Sequence, residues 1–312
     1  MTVLSVACDS RPYVFLGLIA AIFIGYEVPY ASTTLIIALI IQMTLSLDGM
    51  SFKGSDFKEY KNEMIWCLVA SFIVNMGITL ATGYFFKDDL GLWYGWVMLA
   101  IAPCAISTVT AAIYMNGDMK MSVLGLVMVY IVSIALTPIL SHIMIGDAVN
   151  PLEILKYILL FIIVPFALTI PLRKLHLKRT PKVIGINAMM FCMVFMGLGS
   201  RHDYLWEHVD SSLFLVIACI IRICVIGTFL IVIMRKVGVK RENAVIYSTM
   251  MYWKNSSMMA SMCMALLGAT YPEASLPCVI SLVVEAAWFS ILTKLMSKIW
   301  PEEKPAVTSA AS

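Results

Sequence analysis

A lysine stands near the middle of one of the longest apolar stretches of this chain. Lys254 falls inside the run Asn243–Ala269, within the segment Trp253-Lys-Asn-Ser-Ser257. If that run crosses a bilayer, the ammonium lies too far from either surface to reach water along its own stem. An ionisable group at such depth marks a functional position with a partner to be found. Its bland alternative is a lysine neutralised by a buried carboxylate. Two further charges sit mid-run, Arg222 in Ser212–Met234 and Glu285 in Leu276–Ile299. Glu285 has two candidate partners, Arg222 and Lys254, and sequence leaves both pairings open. Either way the set Arg222, Lys254 and Glu285 sums to one positive charge. In a low-dielectric interior that excess favours an anion.

A second group of residues carries chemistry through the backbone. Ala102-Pro103-Cys104 interrupts the run Leu92–Met115, and Ser107, Thr108 and Thr110 follow. Proline lacks an N–H and clashes with the preceding turn, so a helix breaks or kinks there. A half-helix restarting after Pro103 presents free N–H groups and the positive end of its dipole, an anion site. A plain kink packed by small residues accounts for the proline alone. Lys254, Asn255, Ser256 and Ser257 form a matching polar interruption in Asn243–Ala269. Two such interruptions at corresponding places point to a transporter's binding site. Other polar residues are bland: Asn75 and Gln42 read as glue between helices, the methionines of Asn243–Ala269 as flexible packing, and Asn116-Gly117-Asp118 as a helix stop.

The elements that must position these groups are membrane helices. The hydrophobic fraction is 61% and charged residues are 13%, far too few for a soluble domain of 312 residues. Ten apolar runs recur along the chain: Tyr13–Tyr26 (extending toward Pro29), Ser32–Met50, Met64–Phe85, Leu92–Met115, Met121–Ile145, Leu152–Leu172, Lys182–Gly199, Ser212–Met234, Asn243–Ala269 and Leu276–Ile299. Most are roughly 20 residues long, the length that matches hydrocarbon thickness, and in lipid such runs must be helices. Of the 22 basic residues, 17 fall at the termini or in the loops after the second, fourth, sixth and eighth runs, among them Lys53, Lys120, Arg173, Arg241 and Lys304. Only Lys87, Lys156 and Arg201 fall in the opposite loops. Basic loops stay inside, which places both termini in the cytoplasm and, with such short loops, the protein in a plasma membrane. Five spans per half would insert a duplicated unit in opposite senses, giving inverted repeats over 1–148 and 149–312. The N-terminus carries neither a signal nor a transit sequence. Eight scattered cysteines form no C-x-x-C or Cys/His motif. No nucleophile stands beside a base, and no phosphate loop, dinucleotide motif or nucleic-acid patch appears, so an enzyme is not expected.

The segment Ala102-Pro-Cys-Ala-Ile-Ser-Thr-Val-Thr-Ala-Ala-Ile-Tyr-Met-Asn-Gly-Asp118, with Ser122 following, resembles the fourth span of the bile acid:sodium symporter family. Leu136-Thr-Pro138 resembles its next span, and Lys254-Asn255-Ser256 its ninth-span break, where the family usually has Gln-Asn-Ser. The resemblance implies an all-α membrane fold of ten helices in two inverted five-helix repeats. Broken helices four and nine cross near the centre, and a core of spans three to five and eight to ten moves against a panel. It implies alternating-access transport of small organic anions such as bile acids, 2-keto acids or pantoate-like acids, usually with sodium. Thr108, Ser122 and Asn255 match sodium- or substrate-site positions. The departures are Met250 at the place of the family's glutamate, Lys254 for its glutamine, Val109 and Leu126 for an asparagine and a threonine, and Ser71 near a glutamine. Sodium is the one ion the family implies, and these ligands look lost. No other cofactor or metal is expected. The substrate-binding residues are then Pro103, Ser107, Thr108, Thr110, Lys254, Asn255, Ser256 and Ser257, with Lys254, Arg222, Glu285 and Ser122 coupling. The expected function is sodium-independent transport with the Lys254 ammonium in the ion's place, or with Lys254 carrying a proton. Rival readings are a metalloid (arsenite) efflux carrier, given Cys104, and an uncoupled channel or sensor. The partners are the lipid bilayer and the anion, and monomer and homodimer both remain open.

Overall fold

The computed structural model describes residues 7–25, 30–48 and 56–301, and these contain helices and connections with no strand. The expected end of the first run at Tyr26, its extension to Pro29, Met50, Lys53 and Lys304 lie outside the described residues. The longer helices are α1 (Ser10–Phe23), α2 (Ala31–Leu47), α3 (Lys61–Phe86), α4 (Leu90–Ile101), α5 (Ser107–Tyr114), α6 (Met119–Ile145), α7 (Pro151–Lys174), α8 (Arg179–Gly199), α9 (Val209–Lys236), α10 (Arg241–Tyr252), α11 (Ser256–Leu266) and α12 (Leu276–Ile299). Six stretches are long and apolar enough to cross a membrane: α3, α6 to α9, and Pro272–Phe289 leading into α12. The apolar helices α1, α2 and α4 are shorter.

Several helices begin one to three residues before the apolar runs do, because polar residues cap them. Asp89, Asp118 and Asn150 each accept a hydrogen bond from the first turn that follows, satisfying N–H groups that the helix cannot. Asp9 does the same for α1, and hydrogen bonds from Arg11 hold its carboxyl below the usual range. The largest departure from ten unbroken runs is the one expected. Leu92–Met115 divides into α4 and α5, and Asn243–Ala269 into α10 and α11.

Helices α1, α2 and α8 pack chiefly on one another, α7 packs equally on α2 and α6, and α3 to α6 pack with α9 to α12. The two groups meet where α7 lies on α6, where α11 lies on α2 and where α12 lies on α8 and α1. Within the second group α4 approaches the turn Pro272–Ser275 very closely: a Cβ on Gly95 would stand 2.2 Å from the Ala274 carbonyl oxygen. Only glycine permits that contact. Phe23, Ile73, Ile143, Ile170 and Phe229 are each more than half exposed, an apolar surface that lipid would cover.

Candidate functional site at the crossing of two broken helices

The two breaks touch. Helix α4 ends at Ile101, Ala102 turns extended (ψ 145°), and the chain becomes helical again at Ser107. Helix α10 ends at Tyr252, Trp253 is extended (ψ 133°), and α11 starts at Ser256. The Asn255 N–H donates to the Pro103 carbonyl at 2.8 Å and joins one break to the other.

A broken helix leaves carbonyls that no later turn can satisfy, and burial makes each one costly. Five at this crossing have side-chain donors. The Ile101 carbonyl accepts from Thr137 Oγ1 at 3.0 Å, and the Ala102 carbonyl from Lys254 Nζ at 2.9 Å. The Tyr252 carbonyl accepts from Arg222 Nη1 at 3.0 Å. Asn75 Nδ2 donates to the carbonyls of Trp253 at 3.0 Å and Met250 at 2.9 Å. Two wide, π-helical turns bring these donors and acceptors into place, Ala70–Asn75 in α3 and Ile221–Ile226 in α9. Such turns open the main-chain ladder. In α3 the Ser71 carbonyl accepts a second bond from Lys254 Nζ at 2.9 Å.

Lys254 is only 1% exposed. Its ammonium is held by two main-chain carbonyls and lies 5.7 Å from the centre of the Phe72 ring. The C-terminal end of a helix is the electronegative end, so the end of α4 suits a cation. Glu285 pairs instead with Arg222, Oε1 to Nη2 at 3.2 Å. Its Oε2 accepts from Ser256 Oγ at 3.2 Å, and the main-chain N–H of Lys254 approaches Oε1 at 3.4 Å. The open question of pairing is thereby answered: among the described residues no carboxylate forms an ion pair with the Lys254 ammonium. Arg222 also reaches Thr79 Oγ1 at 3.5 Å, which in turn donates to Asn75 Oδ1 at 3.1 Å. The Arg222 Nε has no hydrogen-bond partner among the described residues.

The remaining expected site residues divide between a closed and an open region. Asn255 caps α11 through Oδ1, which accepts from Met258 N and Ser257 Oγ, each at 3.2 Å, while Nδ2 donates to Tyr130 Oη. Ser256, Ser257 and Pro103 are buried, and α11 is covered by α2, α4, α7, α8 and α12. Ser107 and Thr110 are exposed on α5, whose close packing partners are α6 and α10. Thr108 and Ser122 are buried, and their hydroxyls have no partner among the described residues. Cys104, on which the metalloid reading leaned, is fully buried. Sequence reading treated Asn75 as glue and did not single out Thr79, Tyr130 or Thr137. A polar side chain within an apolar run was the one signal for them, and the main-chain acceptors carry none.

The far ends of α5 and α10 are tied as well. Asn116 adopts φ 50° and the Gly117 N–H returns to the Ala112 carbonyl at 2.8 Å, closing α5 as the expected helix stop. The Asp118 N–H donates to the Glu242 carbonyl at 3.3 Å, and Arg241 Nη1 to the Met115 carbonyl at 2.9 Å. Burial, then the Asp118 charge, push the nearby Tyr60 phenol up. Helices α5 and α10 are therefore held together at the break and at their outer ends.

Two helices broken at mid-bundle, crossing at their breaks with buried charges around them, define a membrane carrier of the broken-helix kind. Residues 33–208 match the profile described as the Sodium Bile acid symporter family, more than half of the chain. The protein belongs to that family, and is a multi-pass membrane protein with a small-molecule substrate. No curated protein matches it. The family implies sodium, and several positions at the crossing do not fit that ion. The two carbonyls facing the gap, Ser71 and Ala102, are taken by an ammonium group. Met250, Val109 and Leu126 offer no side-chain oxygen, and the carboxylate of Glu285 is engaged by Arg222.

Proposed function

We propose that this protein carries small organic anions of the carboxylate class across a plasma membrane by alternating access, without sodium, the Lys254 ammonium standing where a coupling cation would bind. The observation that carries the reading is the ammonium bridging the carbonyls of Ser71 and Ala102. A tethered cation supplies the charge that a metal ion would supply and cannot leave. With Arg222 and Glu285 it leaves one net positive charge buried behind α5, which draws an anion toward Ser107 and Thr110. Bile acid-like, 2-keto acid-like and pantoate-like carboxylates are the class to screen.

Ten spans in two inverted repeats, 1–148 and 149–312, with both termini cytoplasmic, account for the geometry. The π-helical turns begin at 70 and 221, α4 and α10 begin at 90 and 241, and the breaks begin at 102 and 253. All three pairs share a spacing of 151 residues. After the breaks, Ser107 and Ser256 open α5 and α11 at a spacing of 149, because the first break is two residues longer. Helices α1, α2, α7 and α8 serve as the panel and the rest as the moving core. The exposed face of α5 and the covered face of α11 fit a carrier open toward the cytoplasm.

Counterflow of a labelled carboxylate in proteoliposomes tests the reading. Uptake is expected to be saturable and unchanged when potassium or choline replaces sodium, and Lys254→Gln is expected to abolish it. Uptake that requires sodium in the unsubstituted protein and survives Lys254→Gln would refute it.

A further inference from the structure

Lys254 has a counterpart. The Ser71 carbonyl and the end of α4 form one cation-holding corner, made of a π-helical turn and the last carbonyls of a half-helix. The π-helical turn of α9 and the end of α10 form another. Position 222 stands in the second turn where position 71 stands in the first, at the same spacing of 151 residues. In the first corner that position is the short Ser71, and the cation arrives from the opposite break as Lys254. In the second it is Arg222, which supplies the cation itself.

The donor sets of the two corners match in kind, with the charge on Ala102 in the first and on Tyr252, the counterpart of Ile101, in the second. Thr137 and Lys254 satisfy the carbonyls of Ile101 and Ala102, while Arg222 and Asn75 satisfy those of Tyr252 and Trp253. Each corner thus has one neutral polar donor and one full positive charge, placed at the electronegative end of a half-helix. Both cations are buried, Arg222 at 0% and Lys254 at 1% exposed. A structural ion pair alone would bring Arg222 to Glu285. It would not require the guanidinium to cap the broken helix as well.

We infer that Arg222 is a second tethered cation, filling with a side chain the repeat-related corner that a free monovalent cation would otherwise occupy. The inference rests on the two-repeat reading above. It makes Arg222 a positioning residue for the break that carries Lys254, Asn255 and Ser256. Removing its side chain leaves a guanidinium-shaped vacancy bounded by Glu285, the Tyr252 carbonyl and Thr79.

Chemical rescue tests it. Purified Arg222→Ala is expected to melt several degrees below the unsubstituted protein. Millimolar guanidinium is expected to raise that melting point, with sodium and potassium weaker and the unsubstituted protein unmoved. Lys254→Ala is expected to respond to methylammonium rather than guanidinium. An Arg222→Ala protein that melts like its parent, or that ignores guanidinium, overturns the inference. Should Arg222→Ala fail to fold, the charge-balanced pair Arg222→Gln with Glu285→Gln takes its place: it is expected to fold and to lose carboxylate uptake, and wild-type uptake by that pair overturns the inference equally. The melting readout needs no substrate. Sodium-dependent uptake by the unsubstituted protein would therefore sink the transport reading and leave the rescue result standing.

Discussion

Glu285 gathers hydrogen bonds from Arg222, Ser256 and the main-chain N–H of Lys254. It is the single carboxylate in the network, and its role is to compensate Arg222. A buried ion pair adds little to stability over apolar packing, but removing one partner strands the other. Glu285→Gln keeps the shape and leaves the guanidinium without its counter-charge. Its expected cost is roughly 3–5 kcal/mol, the scale for breaking a buried pair, read as a lower melting temperature in detergent. Removing Arg222 at the same time relieves the stranded charge, so the double substitution should melt above Glu285→Gln alone. Equal melting of the two would show that the pair is not coupled. Lys254 differs from Arg222 in lacking any carboxylate partner among the described residues, and for that reason its charge is the one left over for a substrate.

Helix α3 shows how an element places a residue. Its six-residue π-helical turn, Ala70–Asn75, directs the Ser71 carbonyl at the Lys254 ammonium and the Asn75 amide at the end of α10. A π turn behaves as one inserted residue. Ile73 lies in it and is 65% exposed, so its excision should close the ladder while the flanking turns keep their packing. The expected result is a folded protein that has lost one hydrogen bond to a charged group, about 1.5–3 kcal/mol, and that transports as poorly as Lys254→Gln. Normal uptake after the excision would show that the widened turn is incidental. The same logic applies where α5 and α10 are joined at both ends, by Asn255 to Pro103 and by Asp118 to Glu242. Ties at each end make the two half-helices one body.

At the scale of the whole molecule the two sides of the crossing differ. Helix α11 is covered by five helices, and α5 is left with an exposed polar face at Ser107 and Thr110. In a carrier open to the cytoplasm, a cysteine at either position reacts with a membrane-impermeant maleimide added to inside-out vesicles, and a bound carboxylate protects it. A cysteine at Ser257, which is 9% exposed, should resist the reagent from both sides until substrate drives the carrier over. Labelling of Ser107→Cys from the outside only would reverse the assignment of the open side.

What was legible in the sequence came from physics that acts locally. Lipid forces a long apolar run to satisfy its own backbone, so the helices follow from the runs. Pro103 removes a donor, so the first break follows from one residue. Lys254, Arg222 and Glu285 stand out because a charge in an apolar run needs a reason. Tertiary structure decided which partner each of these groups takes. Glu285 chose Arg222 over Lys254, a choice made by the packing of α9 against α12. The ammonium found acceptors 183 and 152 positions away in the chain, the carbonyls of Ser71 and Ala102. Carbonyls belong to every residue alike, so no side-chain pattern announces which of them a fold will leave free. The π-helical turns that free them arise when helices settle against one another, and for that reason the charged donors at the crossing could be read from the sequence while their acceptors could not.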